Sequence, residues 1–512
     1  MSVCIFKSKR MEKRFFTLVF ITMMGLSSSS AQEKAVPFDV NYNPALQPTN
    51  QIQYFKPVEK DLFVGDCIPF SYNGTFYLYW LIDKGHHSAL NGLGGHQWAL
   101  STSKDLINWK HYPIALGIDE EWEKSICTGS LIYAKNSFYA FYATRIIKDG
   151  KTQEQLSYAI SSDGTKFVKQ KPNPFFTAPE GYIPSQFRDP KIISAPDGYH
   201  LFISSYKTDP EIQQYGGCLA HLFSKDLKNW EVREPVLTGQ RGTPECSDYF
   251  YWNGWYYLIY SSYGTFYVKS RNPFGPWEYP SDQTLKEPFA NVPKTAEFNN
   301  RRRISAAWIP SRDENKDNGH GKFGGNIVLR ELVQEEDGTL GTKFAPELVP
   351  ECSTPLELPV ILDNSLSTGN SEKLQINSPN GIGSANFDQV PYNCRITLEI
   401  TPLGNNEEYG LYLRSNNKAE GGYRLNFSPN LETVQLGNVS IDAVKNLGNS
   451  ILVDIIMKDD IIDVCVDNRR CIVNRCPEQK GDQLWLYAKQ GNVIFKSIKI
   501  SELKTDQASL IH

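Results

Sequence analysis

Two sequence patterns alternate along residues 65–330, and this repetition constrains the fold more than any other feature. The first pattern is a pair of strands around a short turn. Its β-branched and aromatic runs are broken by Asn-Gly, Lys-Asn, Asp-Gly and Asn-Gly, which are typical of β-hairpins. Each copy therefore predicts one antiparallel hairpin. The four copies start at Pro69, Gly129, Pro190 and Ser247.

The second pattern is a strand followed by a tight turn and an aromatic residue. Its four copies end at Trp109, Phe167, Trp230 and Trp277. One copy of each pattern makes a unit of four strands, and the units recur at the interval typical of propeller blades. Because the runs from Arg302 and Gly324 supply a fifth unit, the sequence predicts a five-bladed β-propeller. A pair of β-sandwiches with coincidental turn motifs is the alternative.

The composition changes after a proline-bearing stretch that ends near residue 360. From about Ser371 onward, short runs of alternating apolar and polar residues predict an antiparallel β-sandwich. The predicted fold class is therefore all-β. The predicted domains are a propeller at residues 32–350, a linker at 351–370 and a C-terminal β-sandwich at 371–512.

Residues 1–31 have the three regions of a secretory signal peptide. Basic residues precede an apolar run from Phe15 to Leu26, and small residues lead to a cleavage site after Ala31. The apolar run is too short to span a bilayer. The sequence predicts a secreted, periplasmic or cell-surface protein, and either Met1 or Met11 can be the start.

Composition excludes several functional classes. The chain is 40% hydrophobic and has a formal net charge of −4, which is globular and gives no basic footprint for nucleic acid or an anionic membrane. The cysteines left after Cys4 fit neither a disulfide framework nor paired zinc half-sites. We therefore predict no cofactor, no metal, no nucleic-acid partner and no integral membrane contact, and we leave the oligomeric state open.

Three acidic residues stand at the entry to an inner strand of successive predicted blades. They are Asp66, Asp189 and Glu245, and Arg188 lies beside the second of them. Equivalent positions on blades arranged around one axis converge, so we expect these carboxylates to face one another. Carboxylates that converge in this way can support catalysis. A turn-forming or capping role is the alternative for any one of them alone.

Several segments around these acids resemble glycoside hydrolase family 32, the β-fructosidases. They are FRDP at 187–190, EC at 245–246, WALSTSKDLINW from 98 and CTGS at 127–130. The resemblance implies a five-bladed propeller followed by a β-sandwich, an oligo- or polysaccharide substrate and a retaining mechanism. It also implies that Asp66 is the nucleophile, Glu245 the acid/base and Asp189 a ligand of ring hydroxyls.

Further residues are predicted to bind substrate. The resemblance and their proximity to the acids suggest Arg188, Cys246, Thr128 and Gly129. A polar cluster of His86, His87, His96 and Gln97 lacks the spacing of a zinc motif. We therefore interpret it as the rim of a pocket that hydrogen-bonds sugar hydroxyls, and we expect Trp122 to lie on the same rim.

One motif departs from the family pattern. The opening Trp-Met-Asn-Asp-Pro-Asn-Gly is reduced here to FVGDCIPF, which retains the acid as Asp66. Because the lost positions shape the fructose pocket in the family, the sugar is left open. An inverting arabinosidase or xylosidase of the family 43 type and a non-catalytic glycan-binding propeller remain as alternatives.

Overall fold

A computed structural model describes residues 38–48, 50–209, 215–299, 301–362, 364–416 and 421–504. The predicted signal peptide lies outside these residues. The described chain is nearly all β-structure, as the sequence predicts. Among the described residues, no helix has the length and apolar character needed to cross a membrane.

The N-terminal half contains nineteen strands, β1 to β19. Their bounds are β1 Leu62–Tyr72, β2 Thr75–Lys84, β3 Gln97–Ser103, β4 Lys110–Leu116, β5 Ser125–Ala134, β6 Ser137–Lys148, β7 Lys151–Ser161, β8 Val168–Lys169, β9 Arg188–Ala195, β10 Gly198–Tyr206, β11 Gly217–Ser224, β12 Glu231–Gln240, β13 Glu245–Trp252, β14 Trp255–Ser261, β15 Thr265–Ser270, β16 Asn291–Phe298, β17 Arg302–Arg312, β18 Gly321–Gln334 and β19 Leu340–Lys343.

The C-terminal half contains the remaining described strands. Their bounds are β20 Val360–Leu362, β21 Ser367–Gly369, β22 Lys373–Phe387, β23 Cys394–Pro402, β24 Glu408–Ser415, β25 Tyr423–Ser428, β26 Thr433–Leu436, β27 Val439–Ile441, β28 Ile451–Lys458, β29 Ile461–Val466, β30 Arg470–Arg475 and β31 Gln483–Glu502. The helices are single turns: Pro44–Leu46, α1 Ala89–Gly92, Pro184–Gln186, Asp313–Asn315, Pro346–Leu348, Asn364–Leu366 and Pro429–Leu431.

Strands that follow one another in the N-terminal half pair antiparallel in four sheets. Two sheets have four strands, β5 to β8 and β9 to β12, and a third has the strands β13 to β15. The fourth sheet has eight strands and joins β1 to β4 with β16 to β19. Only one residue pair, Val64 and Gly325, connects β1 with β18 in that sheet.

The predicted hairpins are present, with one change of register. The turns at 73–74, 135–136 and 253–254 each have two residues with positive φ, which is the backbone of a type I′ turn. The third hairpin differs, because Ala195 pairs with Gly198. Its turn is therefore Pro196-Asp197, and not the Asp-Gly pair that the sequence predicted.

Apolar clusters fill the space between strand groups that follow one another in the chain. Each cluster combines large side chains from two groups, and the first group also packs against the last. Examples of these pairs are Tyr79 with Tyr142, Phe141 with Leu201, Phe202 with Tyr249, Tyr257 with Leu332 and Leu78 with Ile304. The predicted aromatic plugs belong to these layers. Trp230, for instance, meets Phe141 of the preceding sheet at 5.6 Å between ring centroids.

Five strands carry a β-bulge at a corresponding place, where two residues face one residue of the neighbouring strand. A bulge re-aims side chains and is frequent beside active sites. At three of the bulges a residue other than glycine has positive φ, namely Asp189 (52°), Cys246 (52°) and Val292 (45°). The bulged positions are 65–66 in β1, 127–128 in β5, 189–190 in β9, 246–247 in β13 and 292–293 in β16.

The C-terminal half forms one antiparallel sheet system of twelve strands around a single apolar core. The long strand β31 pairs with β22, β23 and β24. A buried ion group joins this half to the N-terminal half, because Arg330 of β18 binds both carboxylate oxygens of Asp463 in β29 at 2.8 and 2.9 Å. Arg330 also contacts Glu287 at 2.6 Å.

Candidate active site

The bulged parts of the five strands β1, β5, β9, β13 and β16 border a cavity of about 620 Å³. Six residues that the sequence predicted for the site line this cavity. His96, which was predicted for the pocket rim, lines it as well. The six are Asp66, Thr128, Arg188, Asp189, Glu245 and Cys246. The sequence placed the three acids at one common position of the blades. In the structure they occupy adjacent positions around the bulge: Asp66 is its second residue, Asp189 its first, and Glu245 precedes it.

Asp66 is held by groups from two other strands. The indole Nε1 of Trp308 donates to Oδ1 at 3.1 Å, and the Cys246 thiol lies 3.7 Å from Oδ2. Burial raises the pKa of Asp66 and the charge of Asp189 adds to this effect, whereas Lys294, His96 and the Trp308 hydrogen bond oppose it. The opposing groups favour the ionised form that a nucleophile needs.

Asp189 is buried, with 4% of its surface exposed. Its Oδ2 accepts a hydrogen bond from the backbone N–H of Cys246 at 3.0 Å, and the Arg188 guanidinium lies 3.7 Å away. This carboxylate is therefore fixed by a neighbouring strand before any substrate arrives. A fixed acceptor of this kind suits the binding of sugar hydroxyls.

Glu245 is the most open of the three acids, because 46% of its side-chain surface is exposed. Partial desolvation in the cavity raises the pKa of Glu245, Arg188 lowers it, and the charges of Asp189 and Asp66 raise it. Arg188 reaches Oε1 at 2.5 Å. An accessible carboxyl with a raised pKa is suited to donate a proton to a leaving group.

Arg188 also belongs to a charge chain that extends along the cavity wall. Its Nε lies 3.7 Å from Glu154, which in turn accepts two hydrogen bonds from Arg145 at 2.8 and 3.1 Å. The sequence analysis missed Glu154 and Arg145, since both occur in strands without a recognisable motif. Their pairing fixes Arg188 between two carboxylates.

Lys294 is a second functional candidate that the sequence analysis missed. It has 4% of its surface exposed and lies directly after the β16 bulge. Its ammonium donates to Thr128 Oγ1 at 2.9 Å and to the carbonyl oxygen of Gly129 at 3.0 Å. A glycine is required at position 129 by the close approach of β6, because a Cβ there would lie 2.0 Å from the carbonyl oxygen of Phe141.

Besides Gly129, three residues predicted to bind substrate do not line the cavity. The His86 ring stacks on Phe63 at 3.8 Å and contacts the carbonyl oxygen of Phe323. Gln97 is buried, and its amide binds the backbone of Phe38 and Ile118. Both side chains thus hold the first sheet and its loops together.

The third of these residues is Trp122. It lines a different cavity, with Phe167 and Lys169. The polar stretch around Trp122 indicated a surface position correctly, but it gave no information about which cavity lies beside it. By contrast, His87 lines the cavity of the acids, next to His96.

The model of the Glycosyl hydrolases family 32 N-terminal domain matches residues 67–340. This match covers more than half of the chain, and the chain therefore belongs to glycosyl hydrolase family 32. The matched region begins directly after Asp66 and includes Asp189 and Glu245. The resemblance seen in the sequence is thus confirmed.

Curated relatives are more distant and match in part. Raffinose invertase of Escherichia coli is 25% identical over 296 residues, which are 52% of this chain and 59% of that protein. Sucrose-6-phosphate hydrolase of Bacillus subtilis (strain 168) is 28% identical over 251 residues, which are 44% of this chain and 50% of that protein. The chain thus spans about half the length of these relatives.

The fold is shared with solved structures over nearly the whole chain. The crystal structure of fructan 1-exohydrolase IIa from Cichorium intybus superposes with a TM-score of 0.65 and covers 91% of this chain and 99% of its own. The sequence identity is 17%. The two chains therefore have the same fold.

Proposed function

We propose that this protein hydrolyses β-fructofuranosyl linkages in fructans or sucrose-like glycans. The observation that carries the proposal is the convergence of Asp66, Asp189 and Glu245 on one cavity, each with different partners. Family membership supports the same reaction class. Glycoside hydrolysis requires two carboxyl groups in different environments on either side of the scissile bond.

The proposed reaction proceeds by double displacement. Asp66 attacks the anomeric carbon and forms a covalent glycosyl–enzyme, while Glu245 donates its proton to the departing glycosidic oxygen. Glu245 then takes a proton from water, whose oxygen attacks the anomeric carbon and releases Asp66. Asp189 accepts hydrogen bonds from ring hydroxyls, which strengthen as positive charge develops on the sugar. The product keeps the configuration of the substrate.

We further propose that the N-terminal half is a five-bladed propeller and the C-terminal half a β-sandwich. Two observations support five blades: the five corresponding bulges, and the single residue pair that links β1 to β18. On this interpretation the eight-stranded sheet consists of two blades. The domain limits 32–350 and 371–512 and export directed by residues 1–31 are part of the same proposal.

A pentofuranosidase is the second candidate, and Leu81 favours it. Leu81 faces the bulge that carries Asp66 and lines the cavity. Its apolar side chain offers no hydrogen bond to a sugar hydroxyl. A pentofuranosyl unit lacks the hydroxymethyl group that a fructofuranosyl unit carries on its anomeric carbon, and so makes fewer polar demands on the pocket.

The test is sugar release by the mature chain, residues 32–512, from sucrose, inulin, levan and arabinan. We expect release of fructose, which NMR should detect first in the β configuration. Release should be lost in Asp66→Asn and Glu245→Gln. Glu357→Gln, which changes an exposed carboxyl, is the matched control. Pentose release would instead support the second candidate. Sugar binding without any release, unchanged in Asp66→Asn, would identify a glycan-binding protein.

A further inference from the structure

Two histidines on the cavity wall share one aspartate behind them. His87 and His96 both line the cavity, and His96 Nε2 lies 3.1 Å from Asp83 Oδ1. The backbone N–H of His87 donates to the same oxygen at 2.8 Å. Asp83 ends β2, whereas the two histidines come from the connection between β2 and β3. All three residues therefore come from one short segment of the chain, residues 83–96.

Asp83 is an unusual carboxylate because one of its two oxygens has no hydrogen-bond partner among the described residues. The residue is fully buried, with 0% of its surface exposed, and Oδ2 has no hydrogen-bond donor among the described residues. A buried polar atom without a partner costs free energy, and a charged one costs more. Such an oxygen calls for a cation close by.

The cluster has the donor set of a transition-metal site. One ligand atom from each of Asp83, His87 and His96 lies within 4.8 Å of the other two. Two imidazole nitrogens and one carboxylate oxygen are ligands of Zn²⁺ and of similar first-row ions, whereas Ca²⁺ takes six to eight oxygens. Ligand bonds of about 2.0–2.2 Å to one ion require the most distant of these atoms to move closer together.

The two rings are held in place by their surroundings. Phe323 stacks on His96 at 4.8 Å and meets His87 edge-on at 5.6 Å. Gly94, with φ of 100°, passes over both rings, and a Cβ there would lie 3.0 Å from His96 and 3.1 Å from His87. Packing of this kind prepares imidazoles for a ligand, since it removes the freedom of the rings to turn away.

We propose that Asp83, His87 and His96 bind one divalent transition-metal ion of the Zn²⁺ class, with its open coordination position facing the cavity. Arg145 now donates to His87 Nε2 at 3.0 Å. Binding through this nitrogen requires Arg145 to give up that hydrogen bond. The other partners of Arg145 are Glu154 and the carbonyl oxygen of Leu93. Glu154 compensates the guanidinium charge beside the ion.

The role of the ion rests on the proposed function. Neighbouring sugar hydroxyls coordinate divalent ions, so an ion at this place orients the non-reducing sugar against Asp66. The ion takes no part in breaking the glycosidic bond. The site itself does not depend on this role, and its test needs no substrate.

The experiment is a calorimetric titration of untagged, chelator-treated residues 32–512 with ZnCl₂. We expect one ion per chain. We expect Asp83→Asn, a nearly isosteric change, to weaken binding by more than about 100-fold, a larger loss than outer-shell partners cause. His320→Gln changes an exposed histidine and should bind like the parent chain. Glu245→Gln should also bind equally, which separates this test from the failure of the proposed function.

A spectroscopic measurement on the parent chain tests the site even if a variant fails to fold. Co²⁺ bound to the parent chain should give visible absorption bands from coordinated histidine, and Zn²⁺ should remove them. The proposal would be overturned if the parent chain gave neither heat of Zn²⁺ binding nor Co²⁺ absorption bands. It would also be overturned if a folded Asp83→Asn variant bound Zn²⁺ as tightly as the parent chain.

Discussion

The carboxylates on two walls of the cavity differ in how many of their oxygens have hydrogen-bond partners. The acid wall consists of Asp66, Asp189 and Glu245, and the histidine wall of Asp83, His87 and His96. On the acid wall every carboxylate has an N–H or guanidinium partner from another strand. On the histidine wall one oxygen of Asp83 has none among the described residues.

This difference separates two uses of a buried charge. A carboxylate whose partners are already in place is held in one position, which suits a reaction. A carboxylate with an unsatisfied oxygen keeps a capacity to bind something else. The two walls are therefore expected to respond in opposite ways when their charges are removed.

The largest effect is expected on the acid wall, for Glu245→Gln. General acid–base catalysis contributes about 10²–10⁴-fold to rate, and we expect kcat on inulin to fall by that factor. An aryl fructoside, whose leaving group needs no protonation, should lose less. The measurement is kcat for both substrates. Equal losses on the two would contradict the role of Glu245 as proton donor.

Removal of the buried cation by Lys294→Met should change the pH profile. Lys294 lowers the pKa of Asp66, and so its loss raises that pKa and favours the protonated, inactive carboxyl. The acidic limb of kcat/KM should therefore move to higher pH, by about one pH unit. Lys191→Met removes another lysine, which is partly buried and paired with Asp248, and should leave the limb in place. A limb that moves equally in both variants would contradict this assignment.

Stability should distinguish the walls directly. We expect Asp189→Asn to lower the free energy of unfolding by about 1.5–3 kcal/mol, since it weakens hydrogen bonds to a charged group. Asp83→Asn removes a charge that has an unsatisfied oxygen, and without added metal it should lower stability by less than about 1 kcal/mol or raise it. Urea unfolding measures both. The reverse order of the two variants would remove the distinction between the walls.

The smallest effect is expected for Cys246→Ser. The thiol lies 3.7 Å from both Asp66 and Asp189, and burial raises its pKa well above the ordinary value. It is therefore a weak, neutral donor, and a serine hydroxyl can replace it. We expect kcat/KM to change less than about tenfold, which corresponds to about 1.4 kcal/mol. A loss as large as that of Asp66→Asn would mean that the sulfur itself reacts.

Much of the fold and the whole acid wall could be predicted from the sequence. Hairpin turns, aromatic plugs and strand-entry acids are local patterns that repeat, and repetition distinguishes them from coincidence. The bulges could not be predicted, because they depend on how two strands pair. They explain why Asp66, Asp189 and Glu245 stand at adjacent positions rather than at the same position of their strands.

The histidine wall and Lys294 show where sequence reasoning fails. His86, His87 and His96 are close in the chain, and nothing local indicates that His86 turns toward Phe63 while the other two face the cavity. In the sequence, Asp83 looks like an ordinary residue near the end of a strand. Lys294 lies in a strand without a motif, and its partners at 128 and 129 are distant in sequence. Only long-range packing brings Lys294 to these partners.

The buried group of Arg330, Asp463 and Glu287 limits how the two halves of the chain can be separated or exchanged. Glu287 lines the cavity, Arg330 belongs to β18, and Asp463 belongs to the C-terminal sheet. A gene fragment that ends before β20 would leave a guanidinium buried with one of its two carboxylates missing. A C-terminal half taken from a relative therefore has to bring a carboxylate in the place of Asp463, or Arg330 loses one of its two partners. A residue of the C-terminal sheet that does not line the cavity thus shares a partner with Glu287, which does line it.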